Sequence, residues 1–398
     1  MKRRLFIGCA AVLVAAAVLA LTGCSFGEDK EFNADGDHVE AYSPQKAKQI
    51  GRTSYHEDSK VLWCALSGSG IDFEFYGKEC QTELIADSGW TSKTNAARYA
   101  VYINGKRTHD SQLTESSHKL TLANPGRAED PCSIRIIKLS ESVQSAIGIG
   151  ELKITTPKEV YKNHKDAIVA PSPDKKHLIE FIGDSITCGY GIDGEMNDKF
   201  STATEDATKT YACVTAEKLD ADYSLVCYSG YGVISGYTST GRQNQTDLVP
   251  KYYDKVGFSN VHLPEGGKIQ DDLWDFSKQP DLVVINLGTN DAAYTSSDNT
   301  KMREYAAGYT EFLKTVRAKN PNAAIICTLG IMNTTLCDAT DLAVMNYQSE
   351  TGDQNIRFMR FASQDSADGL GIDWHPSAKT NQKASEKLTA FIRDWLKW

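Results

Sequence analysis

The chain has 398 residues, a formal net charge of -9 and 41% hydrophobic content. That length is ample for two domains with real cores. The acidic balance, with no block of Lys and Arg beyond the first few residues, argues against nucleic acid as the main partner.

The first residues read as a targeting segment. Met1-Lys2-Arg3-Arg4 is positive, and Leu5 to Leu21 is an apolar run rich in Ala, Val and Leu. The run is short for a membrane span and has signal-peptide flanks. It ends in Leu21-Thr22-Gly23-Cys24, which resembles the lipobox of bacterial lipoproteins. The resemblance implies cleavage of residues 1–23, a lipid on the Cys24 sulfur, and a protein anchored on the extracellular face of a bacterial membrane. The alternative is an ordinary cleaved signal with an incidental cysteine. Residues 24–44 hold few large apolar side chains and are expected to be a flexible tether.

Of ten cysteines, Cys9 and Cys24 lie in or at the end of the leader. The others show no Cys-x-x-Cys spacing, so no metal site is expected. Cys213, Cys227 and Cys327 sit in apolar segments and read as small core residues. Pairing cannot be read from the sequence.

Residues 45–156 carry a β pattern. Ile71-Asp72-Phe73-Glu74-Phe75 alternates apolar and acidic, the period of a half-buried strand. Tyr99 to Ile103 runs into Asn104-Gly105, a two-residue hairpin signal. Ser133 to Leu139 and Ile147 to Ile154 are further strands. A β-sandwich fits, jelly-roll-like in outline. Residues 157–176 are rich in Pro and charge and are expected to be a linker.

From residue 177 to 398 strands and helices alternate. Strands are expected at Leu178–Ile182, Ser224–Tyr228, Leu282–Leu287, Ala324–Leu329 and Ile356–Phe361. Met302, Tyr305, Ala306, Tyr309, Phe312, Leu313 and Val316 mark one amphipathic helix. Ala384, Leu388, Phe391, Ile392, Trp395 and Leu396 mark another at the C-terminus. This alternation predicts an α/β domain with a mostly parallel sheet and helices on both faces.

Four segments fall just after these strands or before the last helix. They are Gly183-Asp184-Ser185, Ser229-Gly230-Tyr231-Gly232, Gly288-Thr289-Asn290-Asp291 and Gly371-Ile372-Asp373-Trp374-His375-Pro376. Open α/β sheets place their chemistry at the carboxyl ends of strands. An ester hydrolase needs a nucleophile, a base and donors aimed at the oxyanion. Ser185 offers the hydroxyl, His375 the base, Asn290 a side-chain N–H and Gly232 a backbone N–H. Of the other histidines in this half, His177 precedes the first strand and His262 lies in an insertion. Asp184 reads as a turn residue rather than as chemistry.

In order, these blocks resemble the SGNH (GDSL-type) hydrolases over essentially all of residues 177–398. The resemblance implies a flavodoxin-like three-layer domain with Ser185 as nucleophile and His375 as base. It implies an oxyanion hole from the Ser185 and Gly232 backbones and the Asn290 side chain, with Gly230 as the fallback for the second block. A sandwich ahead of such a domain is similar to carbohydrate esterase family 2, whose members deacetylate plant polysaccharides. Ile136-Ile137-Lys138-Leu139-Ser140-Glu141 resembles the Lys-x-x-Glu strand end of that family's sandwich. One departure stands out. The superfamily's acid lies three residues before the base, where this chain has Ile372, while Asp373 is only two before His375. Either the Asp373 carboxylate or a backbone carbonyl then orients the imidazole. Trp374 is a candidate sugar platform or a packing residue.

The expected function is a serine esterase that removes O-acetyl groups from polysaccharide of the acetyl xylan or glucomannan type, with no cofactor. Its partners are acetylated polysaccharide or oligosaccharide and, through the lipid, the membrane. The rivals are a peptidoglycan O-acetyl esterase, a general short-chain lipase, and an idle carbohydrate-binding lipoprotein.

Overall fold

The computed structural model describes residues 31–398. The leader and Cys24 lie outside the described residues. Among the described residues the chain forms two antiparallel sheets followed by one parallel sheet.

The antiparallel sheets face each other as a sandwich. In one, Gly70–Phe75 pairs with Cys132–Lys138, which pairs in turn with Arg98–Ile103. In the other, Glu79–Ala86 alternates half-buried and buried residues along its length. The inward side chains, among them Leu62, Phe73, Phe75, Leu84, Ile134, Ile136 and Ile154, make one apolar core. Asn104 and Gly105 both have positive φ, 49° and 77°, as the tight hairpin between Arg98–Ile103 and Lys106–Gln112 requires.

The sandwich is longer than the β pattern implies at both ends. Asp37–Tyr42, inside the expected tether, is a strand paired with Leu152–Pro157 over six residues. Only its end residues are buried, so backbone pairing rather than apolar content holds it. The expected linker is also structured. Lys158–His164 is a helix, with Tyr161 buried in the sandwich core, and Val169–Pro171 pairs with Gly70–Phe75.

The second domain is built on five parallel strands: β1 (His177–Gly183), β2 (Ala221–Cys227), β3 (Leu282–Asn286), β4 (Ala324–Ile331) and β5 (Ile356–Ser363). Their order is β2-β1-β3-β4-β5. All five match the expected strands to within a few residues. Six helices are named here: α1 (Ser185–Cys188), α2 (Tyr211–Lys218), α3 (Asp291–Thr295), α4 (Asn299–Lys319), α5 (Cys337–Thr351) and α6 (Ala378–Leu396). Helices α2 and α6 cover one face of the sheet and α4 and α5 the other. The two expected amphipathic helices are α4 and α6. Helix α5 gives no clean stripe, because Ala343, Val344 and Tyr347 are buried while Leu342 and Met345 are exposed.

Strand register sets the site. Gly183, at the end of β1, lies opposite Cys227 of β2 and Asn286 of β3. Three strands therefore finish level, and the loops that leave them are neighbours.

The sandwich is bolted to the α/β domain through buried charge. Arg52 is fully buried, and its Nη2 lies 3.0 Å from Glu180 Oε2 in the middle of β1. The other oxygen of Glu180 accepts from Tyr253 Oη at 2.8 Å. Nearer the strand ends, Arg98 meets Asp193 at 2.7 Å and Arg107 meets Asp206 at 2.8 Å. All eight cysteines among the described residues are buried and unpaired, Cys213, Cys227 and Cys327 included.

Candidate active site

Ser185 begins α1, directly after the turn that ends β1. Asp184 caps that helix, its Oδ1 accepting the Ile186 N–H at 3.0 Å. Burial, with the charge of Asp291 adding to it, pushes the Asp184 carboxyl up to about 7. A buried cap of this kind shapes the turn that presents the serine.

Ser185 Oγ lies 2.8 Å from His375 Nε2. On the far side of the ring, His375 Nδ1 lies 2.9 Å from the carbonyl oxygen of Ile372. A carbonyl can only accept, so Nδ1 carries the proton and Nε2 presents its lone pair to the serine hydroxyl. Burial holds the His375 pKa below its ordinary value, against the raising effects of the Ile372 carbonyl and of Asp373. The imidazole is therefore neutral at neutral pH and ready to take a proton.

The carbonyl belongs to Ile372, the position three before His375, and not to Asp373. The Asp373 carboxylate points elsewhere, accepting from Tyr190 Oη at 2.9 Å. Tyr190 also lies against the His375 ring, centroids 4.4 Å apart, and stacks on Phe200 on its other side. Sequence reasoning did not single out Tyr190; its place between Gly189 and Gly191, just after Ser185, was the available signal. Asp373 and Trp374 both have positive φ, 52° and 68°, so the chain turns sharply to bring the Ile372 carbonyl over Nδ1. The turn is tied back by the Ile372 N–H to Gly191 O at 3.2 Å and the Asp373 N–H to Met196 O at 3.2 Å. Trp374 is 62% exposed, so it is not the packing residue that one reading allowed.

The second and third blocks interlock. Asp291 is fully buried and accepts the N–H groups of Val233, Ile234 and Ser235 at 2.8–3.1 Å. Burial raises its carboxyl to about 6 even so. Asn290 is buried and donates through Nδ2 to Tyr231 O at 2.8 Å. That bond uses one of the two amide protons.

Here the geometry departs from expectation. The Gly232 N–H donates to Asp247 O at 3.1 Å, so it is not free to meet a substrate oxygen. Gly232 is buried, and a Cβ there would press on Ser235 O and the Asp291 carboxylate. This glycine permits the close wrapping of the loop around Asp291. Gly230 is different. It is partly exposed, has φ +81°, and a Cβ there would meet nothing within 4 Å. Among the described residues its N–H has no acceptor. The Gly232 N–H, expected as the second-block donor, is engaged, and of the two glycines only Gly230, the fallback, keeps an N–H without an acceptor among the described residues.

Comparison with known proteins places these features. Residues 181–383 match the GDSL-like lipase/acylhydrolase family, and residues 49–163 match the carbohydrate esterase 2 N-terminal domain. The cellulase/esterase CelE of Acetivibrio thermocellus is 30% identical over 84% of this chain, which spans 38% of that protein's length. An acetylxylan esterase/glucomannan deacetylase of Cellvibrio japonicus is 25% identical over 96% of this chain and 98% of its own. Among solved structures, a family two carbohydrate esterase from Clostridium thermocellum in complex with cellohexaose superposes with a TM-score of 0.71. It is 28% identical and aligns over 88% of this chain and 99% of its own. The chain is a carboxylic ester hydrolase that belongs to the GDSL-like lipase/acylhydrolase family and carries the N-terminal domain of carbohydrate esterase family 2.

Proposed function

We propose that this enzyme removes O-acetyl groups from polysaccharide of the xylan or glucomannan type, with Ser185 as nucleophile and His375 as general base. The observation that carries the reading is the Ser185 Oγ–His375 Nε2 contact of 2.8 Å on a ring whose other nitrogen is tied to a carbonyl. Ser185 Oγ attacks the acetyl carbonyl carbon as its proton passes to His375 Nε2. The carbonyl oxygen becomes an oxyanion, met by the N–H groups of Ser185 and Gly230 and by the free Nδ2 proton of Asn290. The intermediate collapses, and the imidazolium returns the proton to the departing sugar oxygen. An acetyl-serine remains. Water then attacks it, His375 takes the water's proton, and acetate leaves as the proton returns to Ser185 Oγ.

The substrate class rests on the relatives. The Cellvibrio enzyme is named for acetylxylan and glucomannan, and the Clostridium structure holds cellohexaose. Exposed Trp374, next to the base, offers an aromatic face suited to the apolar face of a sugar ring. A lipid on Cys24 would hold the enzyme at the outer membrane surface, within reach of polymer but not of cytoplasmic metabolites.

Ser185→Ala tests the reading. Acetate release from acetylated xylan and glucomannan should fall on the order of a million-fold in a folded protein, as nucleophile loss does elsewhere. Retention within about tenfold would refute the mechanism. Preference for acetylated peptidoglycan over both plant polymers would move the substrate instead.

A further inference from the structure

The Lys138-x-x-Glu141 strand end plays no part in the reaction above. It leaves the sandwich strand Cys132–Lys138, and Lys138, Ser140 and Glu141 are all buried. Lys138 Nζ donates to the carbonyls of Ser140 at 2.6 Å and Glu141 at 2.9 Å. The lysine thus ties down the short turn that follows it. The turn then crosses to the α/β domain twice. The Glu141 N–H donates to Glu205 Oε2 at 3.0 Å, and Glu141 Oε2 accepts the N–H of Ser229 at 2.9 Å.

Ser229 is the residue before Gly230. On the other side of Gly230, its carbonyl accepts the Tyr237 N–H at 2.8 Å. The peptide unit that carries the Gly230 N–H is therefore clamped from both sides. A glycine at φ +81° with empty space around it has no side chain to hold it and would otherwise sample several conformations. Oxyanion donors work because they are aimed before the charge develops. A carboxylate so close to an oxyanion would normally oppose it. Here the cluster also holds Lys138, and burial raises Glu141 and Glu205 above the ordinary carboxylate range.

We infer that Glu141 is a positioning residue of the esterase: a carboxylate of the sandwich that holds the Ser229 N–H and thereby aims the Gly230 N–H at the developing oxyanion. The inference rests on the esterase reading and explains why the two domains form one catalytic unit. A carboxylate serving stability alone would leave the chemical step of the folded enzyme unchanged.

The test uses the full-length enzyme and an aryl acetate. Glu141→Met fills the same space without an acceptor, and Glu141→Gln keeps one. Glu141→Met should lower kcat by about ten- to a hundredfold, with KM changed by less than about threefold. Its Ser185 should react with an alkyl phosphonate, which passes through a similar oxyanion, slower by the same factor. Glu141→Gln should recover kcat to within about threefold of wild type. Glu205→Gln, which changes the cluster's charge without touching Ser229, should keep wild-type kcat. The inference is overturned if Glu141→Met keeps kcat, if its loss lies in KM, or if Glu141→Gln loses as much. Should Glu141→Met not fold, hydrogen exchange of the wild-type Ser229 amide decides. Protection like that of the sheet amides is expected, and exchange at the rate of an open loop overturns the inference. Ser185→Ala, run alongside, separates the two levels. Activity in that variant defeats the esterase reading itself. A dead Ser185→Ala with an unaffected Glu141→Met defeats only the positioning role.

Discussion

The sandwich sends two buried charges into the α/β domain, and they are built for different ends. Arg52 meets the middle of β1. Its guanidinium sits among the rings of Tyr253, Trp274 and Phe276, 5.0–5.6 Å from their centroids, and pairs with Glu180. Glu180 is mid-strand, and Tyr253, Trp274 and Phe276 lie far along the β2–β3 connection from the Gly230 turn that opens it. Glu141 grips the amide next to Gly230. One joint holds the domains together, and the other reaches the chemistry. Domain fusion here therefore has a structural part and a functional part that substitution can separate.

Arg52→Ala should produce the largest effect on stability. It leaves Glu180 buried without its cation, which costs about 3–5 kcal/mol when one partner of such a pair is lost. Chemical unfolding measures this. The folded fraction should keep kcat within about threefold. A matching loss of kcat in folded protein would erase the contrast between the two joints.

Asn290→Ala works mainly on the chemical side. A hundred- to thousandfold fall in kcat, roughly, is expected with little change in KM, because an oxyanion donor acts mainly in the transition state. Loss of the Asn290–Tyr231 bond also loosens the loop between the second and third blocks. A change confined to KM would make Asn290 a substrate-binding residue.

Asp373→Asn should do much less. The Ile372 carbonyl remains on Nδ1, and asparagine still offers an oxygen to Tyr190. Steady-state kinetics should show a loss of about tenfold or less. Loss of an orienting acid costs about ten-thousand-fold in a serine protease. A folded variant that falls a thousandfold or more would make the carboxylate, not the carbonyl, the orienting group.

The smallest effect is a pH dependence of stability. Glu205 has its pKa raised by burial and by Glu141. Below the ordinary glutamate value of about 4.3 it is protonated folded and unfolded, and its contribution is complete. As pH rises toward the folded value, the unfolded chain releases the proton first, so stability falls. Wild type should lose stability as pH rises above the ordinary glutamate value toward the raised folded one, and Glu205→Gln should flatten that slope in thermal melts. An unchanged slope would place the proton on another group.

Much of this was legible in the sequence, and the gaps have physical causes. Ser185, Asn290 and His375 could be read because each follows a strand or precedes a helix whose period is strong. The tether and linker hid a strand and a helix because backbone pairing at Asp37–Tyr42 and a single buried ring at Tyr161 leave almost no pattern. Gly232 and Gly230 look alike as letters. Only the direction of each N–H tells them apart, one toward Asp247 and one with no acceptor. The Ile372 carbonyl was invisible for a related reason, since a main-chain oxygen has no letter. Glu141 needed a contact across 88 residues of sequence.

The partner of His375 Nδ1 is an atom that inheritance cannot delete. Every amino acid carries a carbonyl, so drift at position 372 or 373 leaves the acceptor in place while the turn keeps its shape. What such drift can damage is the turn. Asp373 and Trp374 occupy left-handed backbone, where asparagine, aspartate and glycine are at ease and branched side chains are not. The pattern of tolerated substitutions there should follow backbone preference rather than charge. A lineage of this enzyme could lose its acid without losing its base.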